Sequence, residues 1–181
     1  FFFYLFMEHI NVEIKARCYD AKKIREILNE HNADFKGIDH QIDTYFRTNN
    51  GRLKLRQGNI ENHLIYYERE NKEGPKQSDV TLMPTVLHSD SLKDILTKSL
   101  GVLVSVDKKR EIYFINNVKF HIDNVRDLGS FVEIEAINFQ GNFHKDVLLD
   151  QCNHYMRLFG INENDLISVS YSDLLIKMQN K

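Results

Sequence analysis

The sequence predicts an α+β protein in which seven or eight β-strands form an antiparallel sheet with a few helices at its periphery. Short segments with alternating apolar and polar residues recur along the 181-residue chain, and short polar links join most of them. Segments with apolar residues at helical spacing lie between these strands. The polar strand faces carry charges of both signs, which favours a barrel with an ionic interior over an open sheet with one solvated face.

The first half of the chain supplies four predicted strands and one predicted helix. Residues 11–17 alternate without a break, so Glu13, Lys15 and Arg17 share one strand face. Asp20 is placed to cap a helix over residues 21–31. Asn49-Asn50-Gly51 is typical of the turn in a hairpin. The predicted strands cover residues 11–17, 41–47, 52–56 and 64–70.

The second half of the chain supplies the remaining strands and three further helices. Ser91 and Asp94 have the spacing of a capping box for a helix that Gly101 ends. Residues 144–159 carry an apolar stripe, and Ser170 can cap a last short helix. The predicted strands cover residues 102–106, 110–115, 118–125 and 131–136.

Composition and charge are those of an ordinary globular protein, with 42% hydrophobic and 28% charged residues. A net charge of −2 provides no overall basic field, so neither nucleic acid nor an anionic membrane is an expected partner. Cys18 and Cys152 lack metal-ligand spacing and favour a reduced, cytoplasmic protein with structural thiols. The apolar residues 1–6 are too few to span a bilayer. We expect them to be a non-native or disordered extension of a single domain over residues 7–181.

The charged strand faces predict a binding tunnel if the sheet closes. Buried charges are costly to desolvate, so an interior lined by them is expected to be wet and to hold a polyanion and a cation. Hard divalent cations prefer carboxylate oxygens, which makes Glu133 and Glu135, on one strand face, the first choice as ligands. The basic set is Lys15, Arg17, Lys54, Arg56 and Arg69, and the acidic set is Glu13, Asp123, Glu133 and Glu135.

An ordered set of motifs runs over nearly the whole chain, from about His9 to Leu175. Residues 11–15 read Asn-Val-Glu-Ile-Lys, and further motifs lie at residues 43–46, 53–56, 74–76, 108–110, 123–135 and 170–175. Together they resemble the CYTH superfamily, the triphosphate tunnel metalloenzymes, and in particular its CyaB-type class IV adenylyl cyclase branch. The family signature is Glu-x-Glu-x-Lys, so Asn11 stands where the first glutamate is expected. The resemblance implies an eight-stranded antiparallel β-barrel, the triphosphate tunnel, with peripheral helices.

The resemblance also implies a Mg²⁺ or Mn²⁺ site and a triphosphate site on the inner strand faces. Asn11 offers only a neutral oxygen, which predicts that one metal position is weak or absent. The implied metal ligands are Glu13, Asp123, Glu133 and Glu135. The implied substrate-binding residues are Lys15, Arg17, Lys54, Arg56, Arg69, Lys76, Lys108 and Arg110, and the implied catalytic residues are Lys15, Tyr45 and Arg69.

Three functions are consistent with this resemblance. The leading one is a class IV adenylyl cyclase that converts ATP to cyclic AMP and pyrophosphate. The second is a tripolyphosphatase or thiamine triphosphatase, although Arg69 stands where that branch has a lysine, and arginine is a poor base. The third is a non-catalytic sensor of a nucleotide or polyphosphate, which the departure at Asn11 suggests. A homodimer is a family-level expectation, and among the histidines only His121, in phase with Asp123, stands out.

Overall fold

The structure, a computed structural model, describes residues 7–69, 76–85, 89–138 and 143–180, with the backbone alone at residues 7–10, 69 and 76–79. The expectation about residues 1–6 lies outside this part of the chain. In chain order the strands and helices are β1 (Met7–Arg17), α1 (Ala21–Glu30), β2 (Asp34–Phe46), β3 (Arg52–Gln57), β4 (His63–Arg69), β5 (Lys76–Pro84), α2 (Asp90–Leu100), β6 (Val102–Ile115), β7 (Val118–Val125), β8 (Gly129–Ile137), α3 (Lys145–Leu158) and α4 (Tyr171–Gln179).

The strands close into an antiparallel barrel in the order β1-β5-β4-β3-β2-β6-β7-β8. Strand β1 pairs with β5 on one side and with β8 on the other, and this second pairing closes the ring. Glu13 lies opposite Glu135 and Lys15 lies opposite Glu133 in the β1–β8 ladder. The prediction of an α+β fold with an eight-stranded barrel and peripheral helices is therefore confirmed.

The outer faces of β1, β7 and β8 form the main hydrophobic core with the helices that cover them. Ile14 and Ile134 project outward from neighbouring strands and are almost fully buried. Leu28 of α1 and Leu148 of α3 belong to the same cluster. The apolar phase of β1, β7 and β8 thus faces the helices, which leaves the charged phase of these strands for the barrel interior.

Helix ends are capped largely as the sequence predicts. Asp20 accepts a hydrogen bond from the Lys23 amide at 3.0 Å, and Ser170 forms a capping box with Asp173. Helix α2 differs: it begins at Asp90 after Ser89, ahead of the Ser91–Asp94 pattern. Across the described ranges, no helix combines the length and the apolar composition needed to cross a membrane.

Three strand predictions differ from the structure, and two of the errors cancel in the total number of strands. Strand β6 is continuous, where two strands over residues 102–106 and 110–115 are predicted. The sequence at the centre of β6 looks like a polar loop because consecutive lysines point to opposite faces. Lys108 is buried inside the barrel, and Lys109 is exposed outside it. Strand β5 is missed altogether, and β2 begins well before residue 41 because a bulge at Gly37, with φ of 122°, interrupts its alternation.

Removing the α3 anchor is expected to destabilise the barrel. Leu148 is 0% exposed and packs in the cluster between α3 and the strands, so Leu148→Ala should lower the free energy of unfolding by about 2–5 kcal/mol. The measurement is urea unfolding followed by circular dichroism. Val147→Ala on the exposed side of the same helix is the control, with an expected loss below about 1 kcal/mol. Equal losses in both variants would contradict the assigned core.

Candidate active site

The barrel interior contains a cavity of about 160 Å³ that is lined mainly by charged side chains. Neighbouring strands contribute them because alternate residues of each strand face inward. The basic lining residues are Lys15, Lys54, Arg56, Lys108, Arg110 and Lys119, and the acidic ones are Glu13, Asp43, Glu61, Glu133 and Glu135.

Asp43 binds basic side chains from two neighbouring strands. It lies opposite Arg56 in the β2–β3 ladder, and Arg56 donates to its two carboxylate oxygens at 2.8 and 2.9 Å. Lys54 and Lys108 donate to Asp43 Oδ2 at 3.0 and 2.8 Å. Burial opposes ionisation of Asp43, yet these cations hold its pKa well below the usual range. Burial, with the charges of Arg110 and Arg56 nearby, lowers the pKa of Lys108 to about 7.

Arg110 links two further carboxylates inside the barrel. Its Nε donates to Asp123 at 2.7 Å, and its Nη2 donates to Glu133 at 2.7 Å. Glu133 also lies 3.2 Å from Lys15 Nζ and 3.1 Å from His121 Nδ1. Although burial opposes ionisation, Arg110 and Lys15 hold the pKa of Glu133 well below its usual range. Burial and the charge of Arg110 lower the pKa of His121 to about 3, so its imidazole is neutral.

Glu13 and Glu135 bring two carboxylates side by side. They are direct partners in the β1–β8 ladder, and Lys119 is the partner of Glu135 in the β7–β8 ladder. Asn11 donates a hydrogen bond to Glu135. Burial raises the pKa of Glu135, and the carboxylates of Glu13 and Glu133 add to this effect. A bound cation would relieve both the desolvation cost and the repulsion.

Two carboxylates of this cavity, Glu13 and Glu135, have the chemistry of ligands for a divalent cation. In the described part of the chain, no three His, Cys, Asp or Glu side chains converge into a ready-made metal site. Mg²⁺, however, commonly takes one or two carboxylates and completes its shell with water and substrate phosphate. Glu13 and Glu135 suit this arrangement as direct cross-strand neighbours. Asp123 and Glu133 are both bound by Arg110.

The residues predicted for the site divide into three groups. Arg17 and Asp123 do not line the cavity: Arg17 Nη1 donates to the Leu128 carbonyl at 2.6 Å, and Asp123 is buried behind Arg110. Arg69 and Lys76 lie on β4 and β5, but their side chains are outside the described part. The predicted residues that line the cavity are Glu13, Lys15, Tyr45, Lys54, Arg56, Lys108, Arg110, Glu133 and Glu135.

The cavity lining also contains residues that are absent from the predicted site, among them Asp43, Glu61, Lys119 and Tyr171. Asp43 lies within a matched motif and in phase with Tyr45, so its inward direction could have been inferred. Lys119 shares its phase with His121 in the same way. The direction of Glu61 could not be inferred in this way because the residue lies in the loop between β3 and β4, where side chains do not alternate between two faces. Tyr171 begins α4 and reaches Asp123, to which its hydroxyl donates at 2.8 Å.

Comparison with known proteins gives consistent similarities. Residues 9–171 match the CYTH domain. A Methanocaldococcus jannaschii protein named as a candidate adenylate cyclase is 26% identical over 174 residues, which cover 91% of this chain and 98% of that protein. A conserved hypothetical protein from Pyrococcus furiosus has a TM-score of 0.75 at 21% identity, with coverage of 91% and 99%. A Hippeastrum protein, described as a candidate adenylyl cyclase with a dominant triphosphatase activity, has a TM-score of 0.59 at 14% identity, with coverage of 94% and 96%.

Proposed function

The chain belongs to the CYTH domain family, and on this premise we propose that it is a divalent-metal-dependent enzyme that binds a triphosphate inside its barrel. One observation carries the proposal. Six basic side chains from four strands line a single cavity. Cations are buried together at high cost unless anions neutralise them, and a polyphosphate supplies several anionic groups in a row.

A triphosphate can replace the internal carboxylates as the partner of these cations. Lys54 and Lys108 donate to the same oxygen of Asp43, so a phosphate oxygen can take over either contact. Arg56 and Arg110 present planar guanidinium groups that match phosphate geometry. Glu13 and Glu135 would hold Mg²⁺ or Mn²⁺, which when bound neutralises charge on the phosphate oxygens.

An apolar sector of the same cavity favours ATP over an inorganic polyphosphate as the substrate. Tyr45, Ile65, Tyr67, Val80 and Leu82 line it beside the basic residues. A phosphate chain makes no use of apolar walls, whereas a purine base stacks on aromatic rings and packs against aliphatic side chains. We therefore propose adenylyl cyclase activity, in which the ribose 3′-oxygen forms a bond to the α-phosphorus and its proton passes to water. The bond between the α-phosphorus and the bridging oxygen breaks, and pyrophosphate leaves.

Hydrolysis of the terminal phosphate is the second candidate. It is favoured by Lys108, whose pKa near 7 allows a neutral amine that can accept a proton from water. Arg69, predicted as a catalytic residue, cannot serve as a base. The Hippeastrum protein with the same fold is described as having a dominant triphosphatase activity. Anionic substrate beside Lys108 would raise its pKa again, so the cyclase remains the first proposal.

Product identification distinguishes these activities. Purified protein is incubated with ATP, tripolyphosphate or thiamine triphosphate in the presence of Mg²⁺ or Mn²⁺, and the products are separated by ion-exchange chromatography. Cyclic AMP with pyrophosphate is the expected result from ATP. Orthophosphate would identify the hydrolase, and tight binding without turnover would identify a sensor. Failure to bind any of these triphosphates would overturn the proposal.

A further inference from the structure

Glu61 places a fixed negative charge at the β3–β4 end of the cavity. It accepts hydrogen bonds from Arg56 Nη1 at 2.9 Å and from Lys119, and Gln41 Nε2 donates to it at 3.1 Å. Burial opposes its ionisation, but Lys119 and Arg56 hold the pKa of Glu61 well below the usual range. Its carboxylate is therefore a permanent anion at neutral pH.

The loop that carries Glu61 is held rigidly by Asp39, a fully buried residue of β2. The Asp39 carboxylate accepts hydrogen bonds from the amides of Asn59, Ile60 and Glu61 at 2.6, 2.9 and 2.9 Å. Gly58 leaves room for this turn, because a Cβ there would lie 2.7 Å from the Asp39 carboxylate oxygens. The position of Glu61 is thus built into the fold.

The Glu61–Lys119 ion pair crosses the barrel. Lys119 lies on β7, three places from β3 in the ring of strands, while Glu61 follows β3. On β3 itself Arg56 lies nearer to this loop than Lys54 does. Arg56 and Lys119 therefore meet at Glu61, whose carboxylate already occupies the cations that a further phosphate would need.

We infer that Glu61 sets the length of the phosphate chain that the cavity accepts, by standing at the place where a fourth phosphate would bind. This inference rests on the proposed triphosphate site. The unchanged protein then binds tripolyphosphate in preference to tetrapolyphosphate, because the longer chain meets a negative charge at its end. Without that charge, Lys119 and one side of Arg56 become available to the fourth phosphate.

Calorimetric titration with tripolyphosphate and tetrapolyphosphate tests this inference, in EDTA so that neither anion is hydrolysed, and again with Mg²⁺. Glu61→Gln is expected to raise the affinity for tetrapolyphosphate relative to tripolyphosphate about tenfold. Glu61→Asp keeps the negative charge, so this variant should fold normally. Because its shorter side chain moves the charge away from Lys119, it should change the affinity ratio in the same direction by a smaller factor. Glu68→Gln removes an exposed charge from β4 outside the cavity lining and should leave the ratio unchanged.

The outcomes separate the two proposals. A tenfold change that disappears when Lys119→Met is added to Glu61→Gln supports the role of Glu61. An unchanged ratio in folded Glu61→Gln and Glu61→Asp overturns that role, while tripolyphosphate binding still stands. Absence of binding of either anion to the unchanged protein, with and without Mg²⁺, overturns the triphosphate site and the inference together.

Discussion

Asp43→Asn is expected to lower the free energy of unfolding by about 3–5 kcal/mol when no anion is bound, because it leaves buried cations uncompensated. Asp43 is 1% exposed and binds Lys54, Arg56 and Lys108. The amide keeps the shape of the side chain and loses its charge. Urea unfolding in a phosphate-free buffer measures the change, and Asp94→Asn, an exposed residue paired with Lys98, is the control with an expected loss below about 1 kcal/mol.

Added tripolyphosphate is expected to restore much of this stability. An anion that binds the folded state stabilises it more the more tightly it binds, and the variant offers Lys54 and Lys108 without the Asp43 carboxylate. The melting temperature of Asp43→Asn should therefore rise more with tripolyphosphate than that of the unchanged protein. A loss of less than about 1 kcal/mol in Asp43→Asn would contradict the assignment of Asp43 as the main counter-ion.

The pH dependence of stability is a second test of the ion pairs that Asp43 forms. The pKa of Asp43 is well below its usual range in the folded protein and close to about 4 in the unfolded chain. The folded state then binds fewer protons, so the contribution of Asp43 is complete above about pH 4 and is lost as the pH falls through the folded pKa. Because Asp43→Asn cannot titrate at this position, its stability should decline less below about pH 4.

The inward and outward faces of the strands could be predicted because alternation is a local property. In β1, Val12 and Ile14 lie in the outer core while Glu13 and Lys15 line the cavity. No knowledge of the partner strand is needed for this assignment, since one residue fixes the direction of the next. The mixed charge signs correctly favoured a closed barrel because an ionic face requires partners across the interior.

Depth along the barrel could not be predicted in the same way. Arg17 shares its phase with Lys15 but does not line the cavity, and its guanidinium group lies over the ring of Phe131 at 4.4 Å. Strand register decides which inward residues meet, and register depends on pairing with distant segments. The inward position of the loop residue Glu61 could not be predicted for a related reason. Its backbone is held by a hydrogen bond to Asp39, which is far away in sequence.

Glu135→Gln is expected to lower turnover about 10²–10³-fold at a fixed Mg²⁺ concentration, because an ion held at the proposed site would contribute several kcal/mol of charge stabilisation in the transition state. Glu135 faces Glu13 in the ladder, and burial raises its pKa. A buried carboxylate whose pKa is raised is stabilised in its ionised form by a bound cation, whereas the neutral amide of glutamine is not. Initial rates of ATP conversion measured against Mg²⁺ concentration should show a higher metal requirement, and EDTA should abolish turnover in the unchanged protein.

Glu133→Gln separates the metal role from an ion-pair role on the same strand. Glu133 is bound by Arg110 at 2.7 Å and by Lys15 at 3.2 Å, so its loss should free these cations and disturb folding and substrate affinity. The metal requirement of Glu133→Gln should change little compared with that of Glu135→Gln. If raised Mg²⁺ rescues Glu133→Gln and fails to rescue Glu135→Gln, the ion is held by Glu133, and the pairing of Glu13 with Glu135 does not bind it.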